Sequence, residues 1–416
     1  MRQTKFFGGN VVAATFLMAM LGWGIGFYGP PIFMYAVIER TGWSLALCSW
    51  AVTLHFLAGT LVVVNLPVLY RRFGLPLITV TGALILSIGV YGWSIAAQPY
   101  QLFIAATLSG LGWVTMGAAA VNAVIAPWFI SKRPAALALA YNGASIGGVI
   151  FSSAWVYLID LIGFTQATIG VGVFSTVIIA ALSIKVFRVR PEHVGQHPDG
   201  ASQAPVTSML ASDNISVVLR GNRRFITLAT AMSLGLFAQI GLVSQLFLLL
   251  VAHVTATTAA LAMGVATTSA IVGRFLSGRL ITGGADRRYI ACMSYGSQLL
   301  GCISLACLSI HPALLWVGVS LFGLGIGNAT SLPPLIAQTE FPRHQLMRVV
   351  TLIVAIAQGC YAFAPAFFGS VKALVGGAQG ELLMLMLAVG IQALAIVALS
   401  LGRSRSTRPL HNAQGL

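Results

Sequence analysis

Charge is the scarcest commodity in this 416-residue sequence: Asp, Glu, Lys and Arg together make up 7% of it, and only 8 residues are acidic. A soluble chain carries about 25% charged residues, so a fold of this length would have too little polar surface to remain in water. Ordinary soluble enzymes, nucleic-acid binders and disordered scaffolds are thereby excluded. Cysteine is sparse too: Cys48, Cys292, Cys302, Cys307 and Cys360 stand singly inside apolar runs, without metal-ligand spacing, and read as packing residues. There is no G-x-x-x-x-G-K-[ST] phosphate loop, so no energy comes from ATP held that way. Period-two alternation is also missing, which leaves a membrane barrel without support. Nothing in the sequence calls for a metal or organic cofactor.

What is present is apolar length. Hydrophobic residues make up 58% of the chain, and a helix needs about 20 of them in a row to cross the hydrocarbon core. With Gly, Pro and charges as breaks, the sequence predicts about twelve such runs. They begin near Gly9, Ser44, Leu75, Tyr100, Ala135, Thr165, Phe225, Thr258, Tyr289, Pro312, Val349 and Glu381. The basic start followed by an apolar run resembles a signal peptide, but more spans follow it, so it is read as the first span.

The net charge of +15 is explained by where the basic residues fall. Arg2 and Lys5, Arg71 and Arg72, Lys132 and Arg133, Arg188 and Arg190, Arg220 to Arg224, Arg287 and Arg288, Arg343 and Arg348, and Arg403 to Arg408 occupy every second gap. That alternation predicts a multi-pass protein with both termini and all these clusters in the cytoplasm. The compact layout with short loops suggests a plasma membrane, the bacterial inner membrane in particular.

The longest polar stretch, 188–224, contains PEHVGQHPDGASQAP and divides the chain. The expected units are an N-terminal six-helix half (1–187), a cytoplasmic linker (188–224), a C-terminal six-helix half (225–402) and a cytoplasmic tail (403–416). The linker's second part, TSMLASDNISVVLRGNRR, has the pattern of an amphipathic helix on the membrane surface. The halves echo each other: WFISKRPAALALAYNGASIGG between spans 4 and 5 parallels EFPRHQLMRVVTLIVAIAQGC between spans 10 and 11 in aromatic, basic and small-residue order. Internal repeats of this kind are common in transporters.

Two enzyme-like patterns fail on context. Gly24, Gly26 and Gly29 match the dinucleotide fingerprint, but they sit in an apolar span with no strand before them. Gly143, Ser145 and Gly147 match the serine-nucleophile elbow, which needs a strand-to-helix turn with acid and His partners; small residues for close helix packing explain them better.

Arg274 is the sharpest single residue. It lies eight positions before the expected end of span 8 at Thr282, about 12 Å deep at 1.5 Å per residue. A charge there is costly and normally faces a wet cavity. Its guanidinium could bond to neighbouring carbonyls, or it could grip an anionic substrate, to which its planar fork is suited. No acid sits at comparable depth, because Glu39, Asp160 and Glu381 fall near the outer ends of spans. That favours an anion over a cation as the partner. His55, mid-span, could titrate near neutral pH or hydrogen-bond across helices. Tyr28, Gln239, Gln245, Asn328, Gln358 and Tyr361 lie at cavity depth and could supply the few polar groups of a small-molecule site. Pro30 and Pro31 make the outer half of span 1 irregular and could mark either a gate or a structural kink.

Twelve spans in two halves, a central loop and the short basic loops YRRFG and GRLITGGADRR resemble the major facilitator superfamily over nearly the whole chain. Phe27-Tyr28-Gly29-Pro30, Gly42-Trp43-Ser44, Trp128-Phe129 followed by Lys132-Arg133, and the Ala/Gly-rich run from Ala136 to Gly148 look like the branch of monocarboxylate transporters and oxalate/formate antiporters. Val272-Gly273-Arg274 with Gly278 is similar to that branch's V-G-R-x-x-x-G, whose arginine is associated with the substrate carboxylate. The resemblance implies an all-α integral membrane protein with twelve transmembrane helices in two pseudo-symmetric six-helix bundles. Gln358 falls where the oxalate carrier has a second cation, which points to monoanions.

There are departures. Arg71 stands where the superfamily usually has an acid after span 2, and Thr282 where its counterpart would be after span 8. Asp286 with Arg287 is the substitute pair, so gating is expected to involve Arg71, Arg72, Asp286 and Arg287. Pro31 occupies the place of a span-1 lysine of animal-type monocarboxylate transporters, and their acid before the span-8 arginine is absent. Proton coupling is therefore not inherited from the resemblance. The expected function is secondary transport of a small organic monoanion by alternating access, as proton symport or anion exchange, by a monomer in a lipid bilayer. The alternative is an exporter of drugs or hydrophobic compounds in which Arg274 is structural. A membrane enzyme lacks a catalytic set and a receptor lacks an output domain.

Overall fold

A bilayer offers no hydrogen-bond partner to the backbone, so apolar runs of this length must satisfy their own N–H and C=O groups as helices. The computed structural model describes residues 6–200 and 221–403, and is built of helices and their connecting turns. Twelve stretches are long and apolar enough to cross a membrane: Gly8–Thr41, Leu45–Phe73, Leu75–Ile95, Pro99–Ile125, Arg133–Ile162, Phe164–Phe187, Arg223–Val251, Ala256–Thr282, Arg287–Ala306, Ala313–Glu340, Arg348–Val375 and Gly377–Leu401, here spans 1 to 12. Each begins within four residues of its expected start. Side-chain oxygens of Ser44, Asn222, Thr255 and Asp286 accept first-turn N–H groups of spans 2, 7, 8 and 9, which fixes where those helices start.

The internal repeat is visible in the packing. Span 1 lies on 5, 2 on 4, 3 on 4 and 3 on 6; the same pairs shifted by six, 7 on 11, 8 on 10, 9 on 10 and 9 on 12, form the second bundle. Contacts between the bundles run along spans 5 and 8, spans 2 and 11, and the second half of span 1 with span 7.

Three spans are interrupted. Span 1 breaks at Phe27–Tyr28, and its second half, Gly29–Thr41, is a regular helix whose first turn carries Pro30 and Pro31. This corrects the expectation of an irregular outer half: proline's missing N–H costs nothing in a first turn, so the pair starts a helix instead of distorting one. Span 11 breaks at Ala362–Phe363 and span 4 at Val114–Gly117, where no proline announces it. Pro333 and Pro334, by contrast, lie inside the unbroken helix Ala313–Glu340.

Close approach of spans 8 and 10 depends on Gly273. A Cβ there would overlap the carbonyl oxygen of Leu324 on span 10, so only glycine lets the backbones meet and holds Arg274 against that helix. Gly273→Val is expected to cost at least about 1–3 kcal/mol through overpacking, read as a lowered unfolding temperature of the purified protein in detergent.

The stretch after span 6, assigned from sequence to a linker, is seated on the first bundle as far as Gly200. Asp199 adopts φ 60°, a conformation Asp tolerates better than most residues. Its carboxylate accepts from the N–H groups of Ile130, Ser131 and Lys132 at 2.7–3.2 Å and from the Ser131 hydroxyl at 2.9 Å, clasping the turn that leads into span 5. The Phe7 N–H donates to Gln196, and Phe6 stacks edge-on against Trp128 and Phe129. The surface helix expected within 207–224 and the tail beyond Arg403 fall outside the described residues, apart from the segment from Gly221 that leads into span 7.

Partial burial would raise the Asp199 pKa, but the N–H and hydroxyl donors outweigh it and the group sits below the usual carboxylate value. A lowered folded pKa means that the clasp stabilises above the unfolded value of about 3.9 and is lost as pH falls through the lower folded value. Asp199→Ala is therefore expected to destabilise by about 1 kcal/mol at neutral pH through the lost hydrogen bonds. The difference from wild type should shrink below about pH 4 in thermal melts taken across pH.

Candidate functional site

The bundles meet tightly at the face opposite the basic clusters. Gln245 of span 7 donates to the Ser49 hydroxyl at 3.1 Å, and the Ala366 N–H of span 11 donates to Thr53 at 2.9 Å. Tyr35 stacks edge-on against Phe247. The crevice beneath, lined by Phe27, Pro30, Pro31, Val52, Phe56, Ile240, Val243 and Ser244, has no room for a water molecule. At the basic face the same helices separate. Along the first half of span 11 only the stripe Val349, Ile353, Ala357 is buried, while Arg348, Thr351, Leu352, Val354, Ala355 and Ile356 are exposed. The basic half of span 2 is similar, with Leu61, Val64 and Val68 exposed and Leu66 buried. The bundles are thus closed on one side and parted on the other.

Arg274 sits between these levels, on the seam of spans 5 and 8. Its Nη1 donates across the seam to Asn142 Oδ1 and Ser145 Oγ of the first bundle, both at 3.4 Å. On the other side the guanidinium lies over Gly327 of span 10, where a Cβ would come within 3.1 Å of Nη2. The phenols of Tyr28 and Tyr141 are its electrostatic neighbours. None of the ion pairs among the described residues includes it: the carboxylates engaged are Glu381 with His253 and Lys372, Glu340 with Arg288, and Asp286 with Arg403. Among the described residues the guanidinium is held by long bonds to neutral oxygens, which leaves it its capacity for a carboxylate.

Of the residues singled out from sequence, Tyr28 joins Arg274. It is buried at the span-1 break and packs where Gly148 of span 5 and Thr267 of span 8 come together. Gln358 and Tyr361 are half-buried just before the span-11 break, with Tyr361 edge-on to Phe56. The others are engaged elsewhere. His55 is buried inside the first bundle with both ring nitrogens bonded, to Ser109 Oγ at 2.8 Å and the Gly26 carbonyl at 2.9 Å, and its ring stacks on Trp113. Gln239 accepts from Gln298, which in turn accepts from Gln392, an amide chain internal to the second bundle. Gln245 belongs to the closed face. Asn328 donates to the carbonyls of Gly273 and Leu324, bracing the Arg274 backbone from behind.

Pro30 and Pro31 line the crevice between the bundles, but the charged gating candidates do not bridge the bundles in this state. Asp286 caps span 9 and pairs with Arg403 at 2.9 Å, and Arg287 donates to the Leu335 carbonyl, all within the second bundle. Arg71 and Arg72 are exposed at the end of span 2.

Sequence reasoning overlooked Tyr141, Asn142 and Ser145. The signal was there in AYNGAS: polar residues at i and i+3, i+4 in an apolar helix share one face, but the glycines around them drew the reading toward packing.

The Major Facilitator Superfamily model matches residues 11–365. The chain belongs to that superfamily. Its twelve candidate membrane spans fit a multi-pass membrane protein. It is 32% identical over 155 residues to MFS-type transporter 1 of Ophiocordyceps sp. (strain BCC 1869), covering 36% of this chain and 34% of that protein. It is 31% identical over 134 residues to MFS transporter asaE of Aspergillus flavus (strain ATCC 200026 / FGSC A1120 / IAM 13836 / NRRL 3357 / JCM 12722 / SRRC 167), covering 32% and 30%. The alignments thus span about a third of each curated relative. Among solved structures it is similar in fold to a D-xylose-proton symporter, with a TM-score of 0.73 at 12% identity over 95% of this chain and 97% of that one. A bacterial homologue of the human lysosomal transporter Spinster, in an inward-facing and occupied conformation, matches with a TM-score of 0.70 at 14% identity over 96% and 97%. At such identities the likeness is one of fold.

Proposed function

We propose that this transporter carries a small organic monoanion of the monocarboxylate type, in the manner of the monocarboxylate and oxalate/formate branch. One observation carries the reading: Arg274 is a cation deep in the bilayer region, on the seam between the bundles, with no carboxylate partner among the described residues. An anion entering from the parted side would replace long bonds to neutral oxygens by charge-assisted, bidentate ones. Tyr28, Gln358 and Tyr361 are the further lining residues. The halves 1–187 and 225–402 then rock about the site to expose it to either side in turn. The membrane is a plasma membrane, of a bacterial cell, with the basic face and both termini cytoplasmic. Flux is coupled to a proton or to a counter-moving anion.

The test is uptake of labelled lactate, pyruvate, formate and oxalate into liposomes holding the purified protein, with and without a pH gradient and with and without unlabelled anion inside. Saturable uptake of monoanions, with oxalate poorest, is the expected result. Flux confined to uncharged or cationic lipophilic compounds would reject it in favour of the exporter reading.

A further inference from the structure

The bonds of Arg274 cross the seam. The donor belongs to the second bundle and both acceptors, Asn142 Oδ1 and Ser145 Oγ, to the first, each 3.4 Å from the same Nη1. Ser145 is buried and Asn142 half-buried. Beside them the seam includes close approaches made by glycine: Gly148 against Thr267 and the Tyr28 ring, and Gly264 over the Val149 carbonyl. Such surfaces can slide past each other, whereas a hydrogen bond across them must break when the bundles move.

We infer that Asn142 and Ser145 are stand-in ligands of Arg274, holding its guanidinium across the seam in the empty carrier and giving it up to the substrate anion. This rests on the monoanion reading above. The two acceptors present to Nη1 a pair of oxygens in the place a carboxylate oxygen would take. They are uncharged, so a carboxylate outcompetes them. Once it does, the guanidinium is satisfied by a ligand that travels with it, and no bond remains across spans 5 and 8 at this level. The loaded carrier then reorients more freely than the empty one, which favours exchange of anions over net flux. Asn142 and Ser145 are positioning residues in this scheme and contribute no net affinity.

The experiment compares wild type with the Asn142→Ala–Ser145→Ala double variant in liposomes, measuring lactate exchange and net lactate efflux in parallel, with size-exclusion profiles and melting temperatures as controls on folding. Removing the stand-ins is expected to lower the half-saturating lactate concentration a few-fold, because the anion no longer competes for Arg274. The ratio of exchange to net efflux should fall about tenfold, because the empty carrier is freed, on the basis that one neutral hydrogen bond contributes about 0.5–1.5 kcal/mol. Asn142→Asp places a tethered carboxylate beside Nη1 and is expected to raise the half-saturating concentration at least tenfold and to slow both fluxes. If wild type exchanges lactate but the double variant keeps the same ratio, the inference fails and the monoanion reading stands. A raised half-saturation in the double variant also overturns it, since the residues would then be touching the anion. Absence of any anion flux in wild type removes both.

Discussion

Arg274→Ala is expected to abolish saturable carboxylate flux while leaving the protein folded. Truncating one side of a desolvated charge pair costs about 2–5 kcal/mol, equivalent to a fall of roughly 30-fold to several thousandfold in transport efficiency. Folding should survive because the side chain forms no ion pair among the described residues and its own bonds are long. Arg274→Lys separates charge from geometry. It keeps a cation but loses the planar fork that pairs with a carboxylate through two parallel bonds, so the expected residual activity lies between those of wild type and the alanine variant. Initial rates of labelled lactate exchange, normalised to reconstituted protein, measure both. If Arg274→Ala transports like wild type, the arginine is a structural brace and the anion reading fails.

The fold was legible because each span leaves a one-dimensional trace: an apolar run long enough for the bilayer, ended by Gly, Pro or charge. Twelve such traces with basic clusters in alternate gaps specify the helices and their order, and the structure has twelve helices at those places. Arg274 was legible for a related reason, since a lone charge far from a span end conspicuously violates the pattern. Its partners were not, because an Asn and a Ser in a glycine-rich helix violate nothing. Which polar residues face the seam is decided by helix rotation and by which bundle neighbours take up their hydrogen bonds. His55, Gln239 and Gln245 lie at cavity depth, as Tyr28 does, yet Ser109, Gln298 and Ser49 claim them. Depth follows from sequence spacing; azimuth and partnership require three dimensions. The break in span 4 escaped for want of a proline, and Pro30 and Pro31 misled because a proline's effect depends on whether it falls in a first turn or an interior one.

The same limit hid a side chain that ties four helices together. Arg288 reads in sequence as one more positive charge marking the cytoplasmic side, beside Arg287 at the start of span 9. In the structure it is 2% exposed and all five of its N–H donors are used. Nε and Nη2 grip the two oxygens of Glu340 at 2.5 and 2.8 Å, Nη1 reaches Thr227 and the Leu399 carbonyl at 3.2 Å, and Nη2 also donates to the Arg224 carbonyl at 3.0 Å. One guanidinium thereby fastens the basic ends of spans 7, 9, 10 and 12. Glu340 is the only anion among these acceptors, so Glu340→Gln strands a buried positive charge. Breaking such a pair from one side costs roughly 3–5 kcal/mol, and a fall in melting temperature on the order of 10 °C is expected. Arg288→Met combined with Glu340→Leu removes both charges and should recover most of that loss, because an apolar pair of similar volume needs no counter-charge. Melting curves of the single and double variants in one detergent measure the difference. A double variant as unstable as Glu340→Gln would show that the bonds to Thr227, Leu399 and Arg224, and not the charge pairing, hold the four helix ends together.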